Sequence, residues 1–178
     1  MSAQSRQAAP RQSAKRWRGP ALQVLLVVAV YLAVSAWQKR HALDAASPAP
    51  ALRGVTLDGR EVGLDQLRGK AVLVHFWATW CGVCRLELGS LNALNEHLPA
   101  NTVLLSVVAD GENPERIQRF ARENDIRYPV LIADEGAAQR FAVSAFPTNY
   151  YVDEAGVIQD VTVGMSNRLA MWLRLWWT

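Results

Sequence analysis

The residues best suited to chemistry lie together in "FWATWCGVCRLE", Phe76 to Glu87, which holds both cysteines of the chain, Cys81 and Cys84. Cys81 ends an apolar run and opens a predicted helix. The free N–H groups and dipole there stabilise a thiolate, so Cys81 is expected to be the lower-pKa, exposed nucleophile. Cys84 stands one turn further on, close enough to bond to Cys81 and to resolve a mixed disulfide. Glu87 follows after three more residues on the same helical face. Its carboxylate could take the proton that Cys84 must lose, with burial raising its pKa as general-base work near neutrality requires. Trp77 and Trp80 flank the pair with apolar surface and limit water. Gly82 and Val83, between the cysteines, tune thiolate stability and hence potential.

Other uses of two thiols fit less well. A zinc site wants four ligands, and one C-x-x-C supplies two. His75, six residues before Cys81 on the preceding strand, is poorly placed as a third. His41 falls in a linker and His97 near the far end of the helix, so no metal ligand set is expected. A disulfide closing so short a loop removes little chain entropy and would be a poor staple. Dithiol–disulfide exchange accounts for the pair best, and it needs no organic cofactor.

Around these residues the pattern alternates strands and helices. "LRGVTLDGREVGL" reads as a hairpin about an Asp58-Gly59 turn. "AVLVHFWA" and "TVLLSVVA" read as strands buried on both faces. Between them a helix runs from Gly82 to about His97, with Leu86, Leu91, Leu94 and Leu98 at helical spacing. Asn113 and Pro114 start a second helix with Ile117, Phe120 and Ala121 on one face. A short strand "YPVLIA", a small helix around Gly136 to Phe141, a hairpin about Asp153–Gly156 and a helix from Asn167 complete the chain. This order predicts an α/β domain with a largely parallel sheet covered on both faces and made mixed by the closing hairpin.

The 178 residues suffice for one domain over 52–178 plus an appendage. Residues 1–40 carry seven Lys/Arg and no acid, whereas the 12 basic residues beyond face 16 acidic ones. A mildly acidic domain behind a basic leader (1–20) argues against nucleic-acid binding. Residues 21–37, apolar apart from Gln23 and Ser35, have about the shortest length that spans a bilayer. Five Lys/Arg precede the run and Lys39-Arg40 close it, so a signal-anchor is expected with its N-terminus cytoplasmic and the domain outside. Trp17 and Trp37 stand where interfacial aromatics usually do. The alternative is a signal peptide cut near Val34-Ser35-Ala36; export follows either way. Residues 38–51, rich in Ala, Pro and Ser, read as a linker.

"FWATWCGVC" at a strand–helix junction resembles the active-site segment of the thioredoxin superfamily, and "SAFPTNYYVD" resembles that family's second landmark. The resemblance covers roughly Leu52 to Arg174. It implies a thioredoxin-like fold, a cis peptide before Pro147, and a docking surface shaped by Trp80, Phe146 and Pro147. The anchor, the leading hairpin, a βα unit inserted between the active-site helix and the cis-proline, and Glu87 three residues after Cys84 are similar to the TlpA/ResA group. Within it the subgroup named for suppression of copper sensitivity is nearest in pattern.

What the group implies is a protein-disulfide oxidoreductase at the bilayer of a bacterial cytoplasmic membrane, its domain periplasmic, and a reductant rather than an oxidant. Its partners would be exported thiol/disulfide proteins, apocytochrome c among the candidates, and a membrane electron donor of the DsbD/CcdA type. Roles in cytochrome c maturation or in copper and oxidative stress tolerance would follow, and a monomer is expected. In ordinary thioredoxins a buried Asp, the proton acceptor for the second cysteine, stands where this chain has His75. That role must pass to Glu87 or His75, although the apolar strand favours a packed, hydrogen-bonded core histidine. Two rivals remain on the same fold. A thiol peroxidase would carry Pro-x-x-x-Thr-x-x-Cys, but Thr79 is two residues before Cys81. A copper-delivery protein would want three residues between the cysteines and a histidine beyond His97.

Overall fold

The structure is a computed structural model that describes residues 18–39 and 45–178. Most of the basic leader and residues 40–44 of the expected linker, with His41, lie outside the described residues. The chain divides after Ala36 into two units.

α1 (Arg18–Lys39) makes up the described part of the first unit and runs three residues past its end, and its described apolar side chains, among them Leu22, Leu25, Leu26 and Val30, are exposed. Several side chains of the expected span over 21–37 are not among those described. Among the described residues no helix is long and apolar enough to cross a membrane.

The second unit is built in the order β1 (Arg53–Thr56), β2 (Glu61–Gly63), a 3-10 turn (Leu64–Leu67), β3 (Ala71–Trp77), α2 (Gly82–Glu96) and β4 (Thr102–Val108). There follow α3 (Pro114–Glu123), β5 (Val130–Ala133), α4 (Ala137–Arg140), β6 (Thr148–Val152), β7 (Ile158–Val163) and α5 (Arg168–Trp176). One seven-stranded sheet runs β2-β1-β5-β4-β3-β6-β7. All residues of β3 and of β6 are buried, as the unbroken apolar run of β3 requires of a central strand.

The sheet is less parallel than the strand–helix alternation suggests. Only β3–β4 and β4–β5 are parallel pairings. The leading hairpin adds to one edge through β1, antiparallel to β5, and β6 and β7 add antiparallel strands beside β3. Alternation reports that crossovers exist, not how many hairpins flank them. Gly59 supplies the left-handed turn of the leading hairpin, with φ 85°. Domain contacts also begin earlier than Leu52. Ala46 N–H donates to Ile158 O, Ala49 N–H to Gly156 O, and Pro48 bridges to Val157.

Alternation along β3 divides the core. Leu73 and Trp77 face a cluster with Leu88, Leu91 and Leu94 of α2, Ile117 of α3 and Met171 and Leu175 of α5. Val72, Val74 and Phe76 face the other, closed by Leu52, Leu64, Ala137 and Phe141. In α2 the inward stripe is Cys84, Glu87, Leu88, Leu91 and Leu94, whereas Leu86 is 73% exposed. Leu86 is therefore not a core residue: once Cys84 points inward, the 3.6-residue period carries position 86 to the far side of the helix.

Candidate active site

Cys81 is the N-cap of α2, where β3 has ended and the chain turns through Ala78 to Trp80. The N–H of Cys84 donates to Cys81 Sγ at 3.1 Å, one of the donors that a helix start leaves without intrahelical partners. The two cysteines form a disulfide with their Cα atoms 5.3 Å apart. Cys81 is 7% exposed and Cys84 1%, so the entering nucleophile is the more accessible but is itself nearly covered. Trp80 is its neighbour in the chain. It is 66% exposed and packs edge-on against Phe146, ring centroids 5.7 Å apart.

The Phe146–Pro147 peptide is cis, and Phe146 O lies 3.7 Å from Cys81 Sγ. The β6 segment is thus brought across from the disulfide, with Pro147 buried and its carbonyl accepting from Gly164 N–H at 2.8 Å. Val83, between the two cysteines, is exposed and adds apolar surface to the rim, whereas Leu86 is exposed on the outer side of α2. A Cβ at Gly82 would meet nothing within 4 Å, so this position faces open space.

Beneath the rim Glu87 is 1% exposed. Its Oε1 accepts from Ser166 N–H in the loop before α5, while Oε2 has no partner among the described residues. Burial pushes this carboxyl from its ordinary 4.5 up to about 7, against the opposing pull of the Ser166 N–H. Burial, and then the charge of Glu87, also push the Tyr128 hydroxyl upward, so Tyr128 reaches the same buried region.

His75 shares the β3 face of Leu73 and Trp77 and is 1% exposed. Its Nδ1 lies 2.7 Å from Asn149 Oδ1 on β6, its register partner. Burial lowers its pKa from 6.5 to about 4, with the Asn149 bond pulling upward, so the ring is neutral at neutral pH. His75 is a satisfied core histidine. Among the described residues no group of three or more His, Cys, Asp or Glu could hold a metal. Thr79 donates its hydroxyl to Asp110 Oδ2 at 2.5 Å, and Arg85 holds the Thr79 carbonyl, so both fasten the loop that presents Cys81.

The geometry thus gathers Cys81, Cys84, Glu87, Trp80, Phe146 and Pro147, and leaves His75 with Asn149 in the core below. Ser166, Asn149 and Tyr128 were missed by sequence reasoning. Ser166 acts through its backbone N–H from 79 positions away, and nothing in local spacing marks such a donor.

The chain as a whole is similar to known proteins. Residues 45–161 match the AhpC/TSA family. The thioredoxin-like protein YneN of Bacillus subtilis is 31% identical over 163 residues, covering 88% of this chain and 95% of that one. The thiol-disulfide oxidoreductase ResA of Geobacillus thermodenitrificans is 28% identical over 127 residues, 71% of this chain and 73% of that one. A putative thiol:disulfide interchange protein DsbE from Chlorobium tepidum superposes with a TM-score of 0.68 at 23% identity. It covers 76% of this chain and 97% of that one, a likeness that shows the thioredoxin-like fold. With its cysteine pair at the start of α2, the chain belongs to the AhpC/TSA family and, within it, to the ResA-like thiol–disulfide oxidoreductases.

Proposed function

We propose that the domain works as a dithiol reductant of exported proteins, outside a bacterial cytoplasmic membrane to which residues 21–37 anchor it. The observation that carries the reading is a disulfide at a helix start with a buried carboxyl, held near 7, on the same helical face. The Cys81 thiolate attacks a partner's disulfide, forming a mixed disulfide and releasing one partner thiolate. Cys84 then gives its proton to Glu87 and attacks Cys81 Sγ. The partner leaves with both sulfurs reduced, and the Cys81–Cys84 disulfide holds the two electron equivalents' oxidation. A membrane donor of the DsbD/CcdA type would return the pair to its dithiol form, and no organic cofactor enters the cycle. Trp80, Val83 and Phe146 supply an apolar rim for the incoming chain, and the Phe146 carbonyl beside Cys81 offers it a hydrogen-bond acceptor.

The anchor reading is supported by the uncharged run from Gly19 to Gln38 between basic flanks. An intact N-terminus in the membrane fraction is the expected result, and a mature chain beginning near Trp37 would refute it. For the chemistry, Cys81→Ser should abolish disulfide exchange, and Cys84→Ser should accumulate mixed disulfides on non-reducing gels. Full turnover in either variant would refute the cycle. Direction is tested by equilibration with glutathione. A potential near about −270 mV agrees with a reductant, and one near about −120 mV would make it an oxidant.

A further inference from the structure

The last helix carries two apolar stripes, and the core uses only one. Met171 and Leu175 point inward, 0% and 4% exposed. Leu169, Trp172, Leu173, Trp176 and Trp177 recur at i, i+3, i+4, i+7 and i+8. Apart from Trp172, which is partly packed on the core, this second stripe lies in the open: Leu169 and Trp176 are 65% exposed and Trp177 82%. The indole rings of Trp172 and Trp176 stack, and Trp176 meets Trp177 edge-on, giving one continuous aromatic surface.

Charge selects what this surface can meet. Residues 165–178 contain Arg168 and Arg174 and no acid, although the domain as a whole is acidic. Arg174 is engaged by Asp160 at 2.7 Å, whereas Arg168, at the start of the helix, has no ion-pair partner among the described residues. His97, at the end of α2, lines the same groove as Arg168, Leu169 and Trp172. Tryptophan and leucine on one side with arginine beside them is the composition of helices that lie in a lipid interface. The stripe also leads away from the disulfide. Ser166 stands level with Glu87 near the start of α2, and Trp172 is level with His97 at its end.

We propose that α5 docks on the surface of an anionic lipid bilayer through Leu169, Leu173, Trp176 and Trp177, leaving the cysteine face directed into the aqueous phase. The inference rests on the anchor reading of residues 21–37. Six residues, 40–45, separate the end of α1 from the first domain contact at Ala46, about 25 Å of extended chain at most. An inserted α1 therefore holds the domain within reach of the headgroups, and docking becomes an intramolecular event.

The test uses the full chain reconstituted in vesicles of phosphatidylcholine and phosphatidylglycerol with brominated acyl chains, which quench nearby tryptophan emission. Wild type should lose more emission than Trp176→Phe/Trp177→Phe. Leu169→Glu/Leu173→Glu, altered only at exposed positions, should lose the same extra component while keeping its disulfide-exchange rate. The extra component should shrink several-fold when phosphatidylglycerol is omitted. Equal quenching in all three proteins overturns docking, and the residual signal from Trp17 and Trp37 then still reports an inserted α1. No quenching in any of them overturns the anchor and the docking together. A concentration-dependent dimer that Leu169→Glu/Leu173→Glu abolishes would assign the stripe to a second copy, and so overturn the lipid assignment.

Discussion

Glu87 and His75 sit on the same side of the sheet, and burial moves their proton affinities in opposite directions. Glu87 is raised from 4.5 to about 7, so the folded domain bears a cost that appears as pH rises through that window. His75 is lowered from 6.5 to about 4. The unfolded chain takes up its proton first, and stability is lost as pH falls through that window. At about 1.4 kcal/mol per unit each effect amounts to about 3 kcal/mol, and the two largely cancel between pH 4.5 and 6.5. Urea unfolding of the oxidised protein should therefore show a shallow profile there. Glu87→Gln should expose the acid-side loss due to His75 and gain stability above pH 7. His75→Asn should leave a decline as pH rises towards 7; unchanged slopes in both would contradict the assignments. In exchange assays Glu87→Gln should slow resolution by Cys84 by roughly 100-fold and remove its pH dependence near 7. Loss of rate in His75→Asn without a change in that profile would mark His75 as a packing residue.

At the level of elements, the site depends on how strands meet as well as on where helices start. Gly54 stands at a close approach in the join between the leading hairpin and the sheet. A Cβ there would stand 2.2 Å from Ile132 O and 2.8 Å from Ala133 Cα, both backbone atoms of β5. Gly54→Ala should push β1 from β5 and destabilise the domain by roughly 1–3 kcal/mol, as overpacking does. Denaturant unfolding measures this, and hydrogen exchange should locate the loss in β1 and β2. Helix starts were legible because their chemistry is local. Asn113 and Asn167 accept from Arg116 N–H and Ala170 N–H, the three-residue reach of an N-cap. The pairing of β1 with β5 was not legible, since Gly54 and Ile132 lie far apart in the chain and either hairpin edge could have joined the sheet.

At the level of the molecule, the domain should stand without the leader. The second unit carries its own core, in two clusters on the two faces of its sheet. A chain beginning at residue 45 should reduce a small soluble disulfide at the full-length rate. Its reduction by a membrane donor should be at least about 100-fold slower at equal concentration, because the tether no longer supplies effective concentration. Stopped-flow tryptophan emission follows both reactions, and equal rates with the membrane donor would remove the tether's role. The sequence alone determined an α/β domain with a mixed sheet, the paired thiols, the capping of the helices, the hairpins and Glu87 as the acid one turn on, because each depends on spacing within a few residues. Tertiary structure decided the rest. It sets the closure of Phe146 over Cys81, the Ser166 N–H at Glu87, the Asn149 partner of His75, the outward turn of Leu86 and the exposed second stripe of α5. These depend on which surfaces the sheet brings together across 60 to 80 residues, and burial in that packing, which no local pattern encodes, is what sets the two shifted pKa values.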